Sequence, residues 1–464
     1  MPKTTKTPQS LTSLRGRLAA VLLPLALAAC GGSDPVDDGY VPPPLSCSAT
    51  DQKTWLAGYM DDWYFWYALS PRPNPAPYAT PTDYFNALLY QGTSPSFPAD
   101  RWSGTTTTAS FNSFFRDGET LGYGVSVAGI EAVRGDTGGR LYVRYVDPNS
   151  PASTRLFRGD EIVSINGRSA ASMIAAGTDG DFSSLVAANR GDSITVVGRD
   201  AAGTFTVDVV ADTYALAPVP QSSVVISPLG RKMGYVVVKD MINQANTPLD
   251  NVFADFRVQG VSDVILDLRY NGGGFVSVGR TVASYVAGTR AGGRSYAKLL
   301  YNDKRAAANN VSYPFANPGN ALGLPRAFVL MGPRTCSASE QVINGLRGAG
   351  VQVIAIGDTT CGKPVGFNAQ DGGCGTTYSA VTFESVNDRN EGRYFDGFAA
   401  TCPVAEDFTQ PMGSAGDPLL VSAANYADDG FCPAGLRAVQ RAPGVKAKRL
   451  RTEGGSGLEG MLAK

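Results

Sequence analysis

The sequence predicts a multi-domain α/β protein, and three observations carry that expectation. At 464 residues the chain is long enough for two or three domains with sizeable cores. Its second half repeats one pattern: a strand-like run, a small-residue turn, a helix-like segment, then another strand-like run. Its first half holds an aromatic segment at helical spacing, followed by a long stretch of short alternating strands.

In chain order, residues 1–29 predict a targeting segment. Lys3, Lys6, Arg15 and Arg17 form a basic start, and residues 18–29 form an apolar run too short for a permanent bilayer span. The run ends in Leu27-Ala-Ala-Cys30, which resembles a bacterial lipoprotein signal. That resemblance implies lipidation of Cys30 and a site in the bacterial cell envelope, facing the periplasm. Residues 30–46, rich in Gly, Asp and Pro, predict a tether.

Residues 47–112 predict a small helical domain. Trp55, Tyr59, Trp63 and Trp66 recur at helical spacing, the pattern of an aromatic face packed on a core. Pro71 and Pro81 bound a break, and residues 83–90 predict a second short helix. Residues 113–215 predict a β-rich domain, with a loop over 128–140 and strands near 193–197 and 205–210.

The largest domain is expected over 220–435. Residues 233–238 and 264–268 read as strands, and 248–258 and 275–287 as helices. Between the second strand and second helix lies Asn271-Gly-Gly-Gly274. No Lys-Ser/Thr ending follows the glycines, so a phosphate loop is excluded. Glycine N–H groups unobstructed by side chains suit an oxyanion hole instead. Asp267 and Arg269 are expected to be structural. Residues 290–316 read as a polar loop and 417–426 as a closing helix. The stretch 436–464, basic and aperiodic, predicts disorder.

Composition narrows the chemistry. Lys plus Arg number 40 against 41 Asp plus Glu, so no basic field points to nucleic acid. The chain has no histidine, which excludes a Ser-His-Asp triad and any His-ligated metal site. With no Cys-x-x-Cys pair either, neither metal nor cofactor is expected. Seven cysteines become six if Cys30 is lipidated, an even set open to 15 disulfide connectivities.

The focus is Arg334-Thr-Cys-Ser-Ala-Ser-Glu340, between a strand at 327–331 and a helix beginning near Glu340. A serine at such a turn can present its hydroxyl beside the next backbone N–H. Either Ser337 or Ser339 could instead be a simple helix cap. A nucleophilic serine needs a base, and without histidine the candidate is Lys363, in Thr360-Cys-Gly-Lys-Pro364 after a strand at 351–356.

Taken together, Asp267-Leu-Arg-Tyr-Asn-Gly-Gly-Gly274, the Ser-Ala-Ser-Glu box and the Thr360-Cys-Gly-Lys363 box resemble the C-terminal-processing (tail-specific) serine peptidases. The resemblance covers about residues 50–425. It implies a ClpP/crotonase-like α/β core with Ser337 as nucleophile, Lys363 as general base, and Ala338 with Gly273 (or Gly274) as oxyanion donors. A Cys336–Cys361 disulfide is expected to hold the two boxes together. Gly122-Tyr-Gly-Val-Ser-Val127 and Phe157-Arg-Gly-Asp-Glu-Ile-Val-Ser-Ile-Asn-Gly167 resemble a PDZ domain. That implies capture of a protein or peptide C-terminus at Tyr123, Gly124 and Val125 by strand addition. Many family members carry a Gln four residues after the lysine. Here that position is Phe367, which leaves the third catalytic member open among Asn368, Glu384 and Asn387. An inactive relative serving as a peptide-binding envelope scaffold is the second reading.

Overall fold

The computed structural model describes residues 41–129, 140–176, 181–436 and 461–463. The expected targeting segment, Cys30 and most of the expected tether lie outside the described residues, as do most of the expected 128–140 loop and residues 437–460. No described helix is long and apolar enough to cross a membrane.

The first helix, Ala49–Trp63, is capped by Ser48, whose hydroxyl accepts the Asp51 N–H. It buries Leu56, Tyr59, Met60 and Trp63. It ends before Trp66, which is buried in the following turn rather than on the helix. A second helix, Pro81–Leu88, starts on Thr80 with Pro81 in its first turn, where the missing N–H costs nothing. These aromatic faces do not form a core of their own. They share one apolar cluster with Tyr378, Val381 and Phe383 from the far end of the chain. The Phe65 N–H donates to Val381 O at 2.8 Å, and strand Gly104–Thr107 pairs antiparallel with Thr376–Ser379. A Cys47–Cys374 disulfide closes the same contact.

The β-rich domain is an antiparallel sheet in the order Val125–Gly129, Leu141–Val146, Glu161–Ile165, Ser193–Asp200, Gly203–Val210. Strand Ser193–Asp200 turns Ile194, Val196 and Gly198 inward at period two. The domain has a separate core built on Val127, Leu141, Val143, Ile162, Ile194 and Val209. Its neck is a two-stranded pairing of Glu119–Gly122 with Asp212–Ala215.

The large domain centres on six strands ordered Gln221–Ile226, Lys232–Val237, Asp263–Asp267, Arg326–Met331, Gln352–Gly357, Cys402–Pro403. The first pair is antiparallel and the other four pairings are parallel. Strand Asp263–Asp267 is buried throughout, because helices cover both faces of the sheet. Leu249, Phe253, Val282 and Val342 pack on one face, and Leu419, Leu420 and Ala423 on the other.

Two expectations are corrected. The supposed loop at 290–316 contains strands Ser295–Tyr301 and Val311–Pro314, in a second sheet with Phe383–Val386 and Val365–Gly366. Most of its polar side chains, Asn302 apart, sit at exposed or half-buried positions, so composition hid the alternation that buries Tyr296, Ala297, Leu299 and Tyr301. The tail expected to be disordered from 436 includes strand Met461–Leu462, paired parallel with Gly274–Phe275. Its two apolar residues are almost wholly buried, which the surrounding charged and glycine-rich sequence did not reveal.

Candidate active site

Parallel strands deliver their C-terminal ends to one edge of a sheet, so the turns after them converge there. Strand Asp263–Asp267 delivers the glycine turn. Strand Arg326–Met331 delivers the serine turn, and Gln352–Gly357 the lysine turn.

The serine turn is fixed from below. The Thr335 hydroxyl donates to Leu268 O at 2.8 Å, and the Cys336 N–H donates to Asn271 O at 3.1 Å. Ser337 then takes φ 61° and ψ −116°, a conformation that L-residues with a Cβ rarely adopt. Helix Ala338–Gly348 begins at the next residue, so the Ala338 N–H belongs to the first turn, which has no intrahelical acceptor.

The two serines separate cleanly. The Ser339 hydroxyl donates into Asn271, 2.7 Å from Oδ1 and 3.0 Å from the backbone O, which makes it a strut between turns. Ser337 is fully buried, and its Oγ has no hydrogen-bond partner. It sits where a capping-box oxygen faces the N3 amide, yet no bond of normal geometry reaches it. A buried hydroxyl left unbonded on a strained turn costs free energy, and sites that persist in this way cluster where chemistry needs them.

Glu340 joins the serine turn to the lysine turn. Its Oε2 accepts the Ser337 N–H at 3.0 Å and the Lys363 N–H at 2.8 Å. Its Oε1 accepts the Gly362 N–H at 2.8 Å and the Thr360 hydroxyl at 2.5 Å. Burial raises its carboxyl above the usual range, and these donors pull the other way. A Cys336–Cys361 disulfide crosses the same gap, with Cα atoms 5.1 Å apart. Both cysteines crowd Glu340, within 4.8 Å, but their sulfurs are already joined to each other and offer no thiolate to a metal.

Lys363 is 4 % exposed, and its Nζ lies 4.2 Å from the centre of the Phe367 ring. The residues considered as a third catalytic member are held elsewhere. Asn368 Oδ1 accepts from Tyr301 and Thr382, Glu384 pairs with Arg393, and Asn387 bonds Asn344 and Glu391.

The glycine turn departs from expectation in one respect. The Gly273 N–H donates to Asn271 Oδ1 at 2.8 Å, inside its own turn. Asn271 is itself anchored through Nδ2 to Val238 O at 2.8 Å. Gly274 has φ 133°, and a Cβ there would stand 2.2 Å from Met241 O, so only glycine fits.

Below the site Arg269 joins Asp267 at 2.8 Å and Asp417 at 2.7 Å, all at most 2 % exposed. Burial raises the Asp267 carboxyl, while Arg269 opposes the rise. Arg269→Met should lower stability by about 3–5 kcal/mol, since two buried carboxylates lose their cation. Protonated carboxyls are cheaper to bury, so the deficit should shrink as pH falls toward about 4, the ordinary aspartate value. Thermal melts at pH 4.5 and 7.5 check both sign and size. Nearby Arg158, from the β-rich domain, donates to Glu406 at 2.9 Å and to the Tyr270 hydroxyl at 2.6 Å, tying that domain to the core.

In the β-rich domain Tyr123 and Val125 point into its core, and Gly124 has φ 76° with Ser150 packed against it. The three residues lead into Val125–Gly129, which ends the order of the sheet and so forms its edge.

Sequence reasoning named Ser337, Lys363 and the disulfide pair, which the structure gathers around one carboxylate, and Ala338, which opens the helix that carries it. It missed Glu340 and Asn271. Glu340 had a legible signal, because Ser337-Ala-Ser-Glu340 has capping-box spacing.

Comparison with known proteins agrees with this architecture. The profile for Peptidase family S41 matches residues 232–396, that for the Peptidase S41 N-terminal domain 51–104, and that for the PDZ domain 113–176. Carboxyl-terminal-processing peptidase 3, chloroplastic, of Arabidopsis thaliana is 30% identical over 240 residues, which is 48% of this chain and 43% of that protein. The match thus spans less than half the length of that relative. A provisionally assigned S41 protease from Bacteroides fragilis NCTC 9343 shares the fold, with TM-score 0.63 and 23% identity over 80% of this chain and 96% of that one. The chain is therefore built from a peptidase family S41 N-terminal domain, a PDZ domain and a family S41 peptidase domain.

Proposed function

We propose that this chain is a serine endopeptidase of the C-terminal-processing type. It cleaves peptide bonds of exported proteins through an acyl-enzyme. The observation that carries the reading is the unbonded Ser337 hydroxyl on its strained turn, linked through Glu340 to the backbone of Lys363. Lys363, as the neutral amine favoured by burial, takes the Ser337 proton. The Ser337 oxygen adds to a peptide carbonyl, the amine leaves with that proton, and water then resolves the acyl ester. The Ala338 N–H meets the oxyanion. A second donor, assigned to Gly273, must first turn away from Asn271 Oδ1, so the glycine turn reorganises when substrate binds.

The PDZ domain captures a substrate C-terminus along the edge strand beginning at Tyr123, Gly124 and Val125. The protein acts in the bacterial envelope, anchored by lipid at Cys30. The lipoprotein-like start and three disulfides support an oxidising compartment.

The test is labelling of the chain with a fluorophosphonate probe, followed by peptide mapping. Label should appear on Ser337 and vanish in Ser337→Ala, with both proteins folded. Label on Ser339, or label that survives the substitution, rejects the nucleophile.

A further inference from the structure

Residues Met461–Ala463 cross the site as an added strand. Met461 lies opposite Gly274 and Leu462 opposite Phe275 in parallel register. On the other side, the Phe367 N–H donates to Met461 O at 2.8 Å, the Ala463 N–H donates to Phe367 O at 3.4 Å, and Leu462 bridges Phe367. The Tyr313 hydroxyl donates to Ala463 O. The segment therefore runs between the residue after Gly273 and the residue whose ring underlies Lys363 Nζ.

Its leading side chain enters a closed pocket. Met461 is 0% exposed, and its Sδ lies 3.3 Å from Gln341 Nε2. Gln341 stands one helical turn beyond Ser337, and its N–H donates to Ser337 O at 2.9 Å. The same Nε2 donates to Ser385 Oγ at 2.7 Å, while Gln341 Oε1 is buried without a partner. An unbranched chain with a weak acceptor near its tip suits such a pocket, and a thioether provides both. The wall opposite is Gly366, where a Cβ would stand 2.5 Å from Met461 O. A backbone approach this close is what strand-addition binding of a peptide requires.

We propose that the groove between Gly274–Phe275 and Phe367 is where the peptidase holds an extended substrate, with methionine preferred in the Gln341 pocket, and that Met461–Ala463 is a built-in competitor for it. This rests on the peptidase reading above. Substrate gains the groove only when the segment leaves, so apparent affinity falls by the fraction of molecules already open.

Three measurements on the full chain test it. Hydrogen exchange should find the 461–463 amides protected, and a synthetic pentapeptide Gly-Met-Leu-Ala-Lys should release them by displacement. Exchange at free-chain rates in the untreated protein overturns the proposal. In Met461→Asp, a charge in the pocket expels the segment, and fluorophosphonate labelling of Ser337 should run at least about tenfold faster. The pentapeptide should slow that variant again, and its Met-to-Phe analogue should do so far less. Unchanged labelling in a folded variant, or equal competition by both peptides, overturns it. If Ser337 takes no label in any variant while the amides stay protected and displaceable, the catalytic reading falls and the groove stands.

Discussion

Lys363→Met should leave a folded protein whose peptide turnover falls by about 10³-fold or more. A positioned general base contributes on the order of 10²–10⁴-fold, and with no histidine in the chain no imidazole can substitute for this one. The packing should survive, because methionine keeps most of the lysine stem against Phe367. The Glu340 bond should survive as well, since it uses the Lys363 backbone N–H and not the amine. The loss should therefore fall on kcat, with the melting temperature nearly unchanged. The fluorophosphonate rate should drop in parallel, because it reads the same activated oxygen. Turnover within tenfold of the parent would remove Lys363 from the chemistry.

Glu340→Gln should be nearly as damaging, for a different reason. The carboxylate accepts from four donors, two on each oxygen. A carboxamide presents an N–H₂ group to one of those pairs, and two buried donors lose their acceptor. Each costs about 1–3 kcal/mol, so stability should fall by roughly 2–6 kcal/mol. Labelling of Ser337 should slow together with the loss in melting temperature, which separates this variant from Lys363→Met. A Glu340→Gln protein that melts like the parent would show that the four bonds do not hold the turns.

The turns of the candidate site were legible because their signals are local. Each strand and the small-residue turn after it are written in adjacent residues, so Ser337 and Lys363 could be placed on turns, while the roles expected of them and of Ala338 rested on the absence of histidine and on the resemblance of three separated boxes. Strands 264–268 and 327–331 were equally clear, since strands buried on both faces read as unbroken apolar runs. What stayed hidden depends on distant partners. Strand Ser295–Tyr301 is polar on one side and is recognisable only beside Phe383–Val386. Met461 and Leu462 are two apolar residues in a charged stretch, and only the groove they fill gives them structure. The choice between Ser337 and Ser339 turned on Asn271, some 68 residues away. The partner that the Gly273 N–H has in this structure was hidden for the same reason, because its acceptor is a side chain two residues back that backbone patterning does not reveal.

The chain has three domains by sequence but two by cohesion. The PDZ domain has its own apolar core and a two-stranded neck, and it meets the peptidase domain through the polar contacts of Arg158 with Tyr270 and Glu406. The N-terminal helices lack that independence. Leu56, Trp63 and Phe85 fill the same cluster as Tyr378 and Phe383, and strand Gly104–Thr107 completes a sheet begun near the other end of the chain. Those helices therefore have no finished core until the segment around residues 376–383 joins them, and the Cys47–Cys374 disulfide then locks the two together.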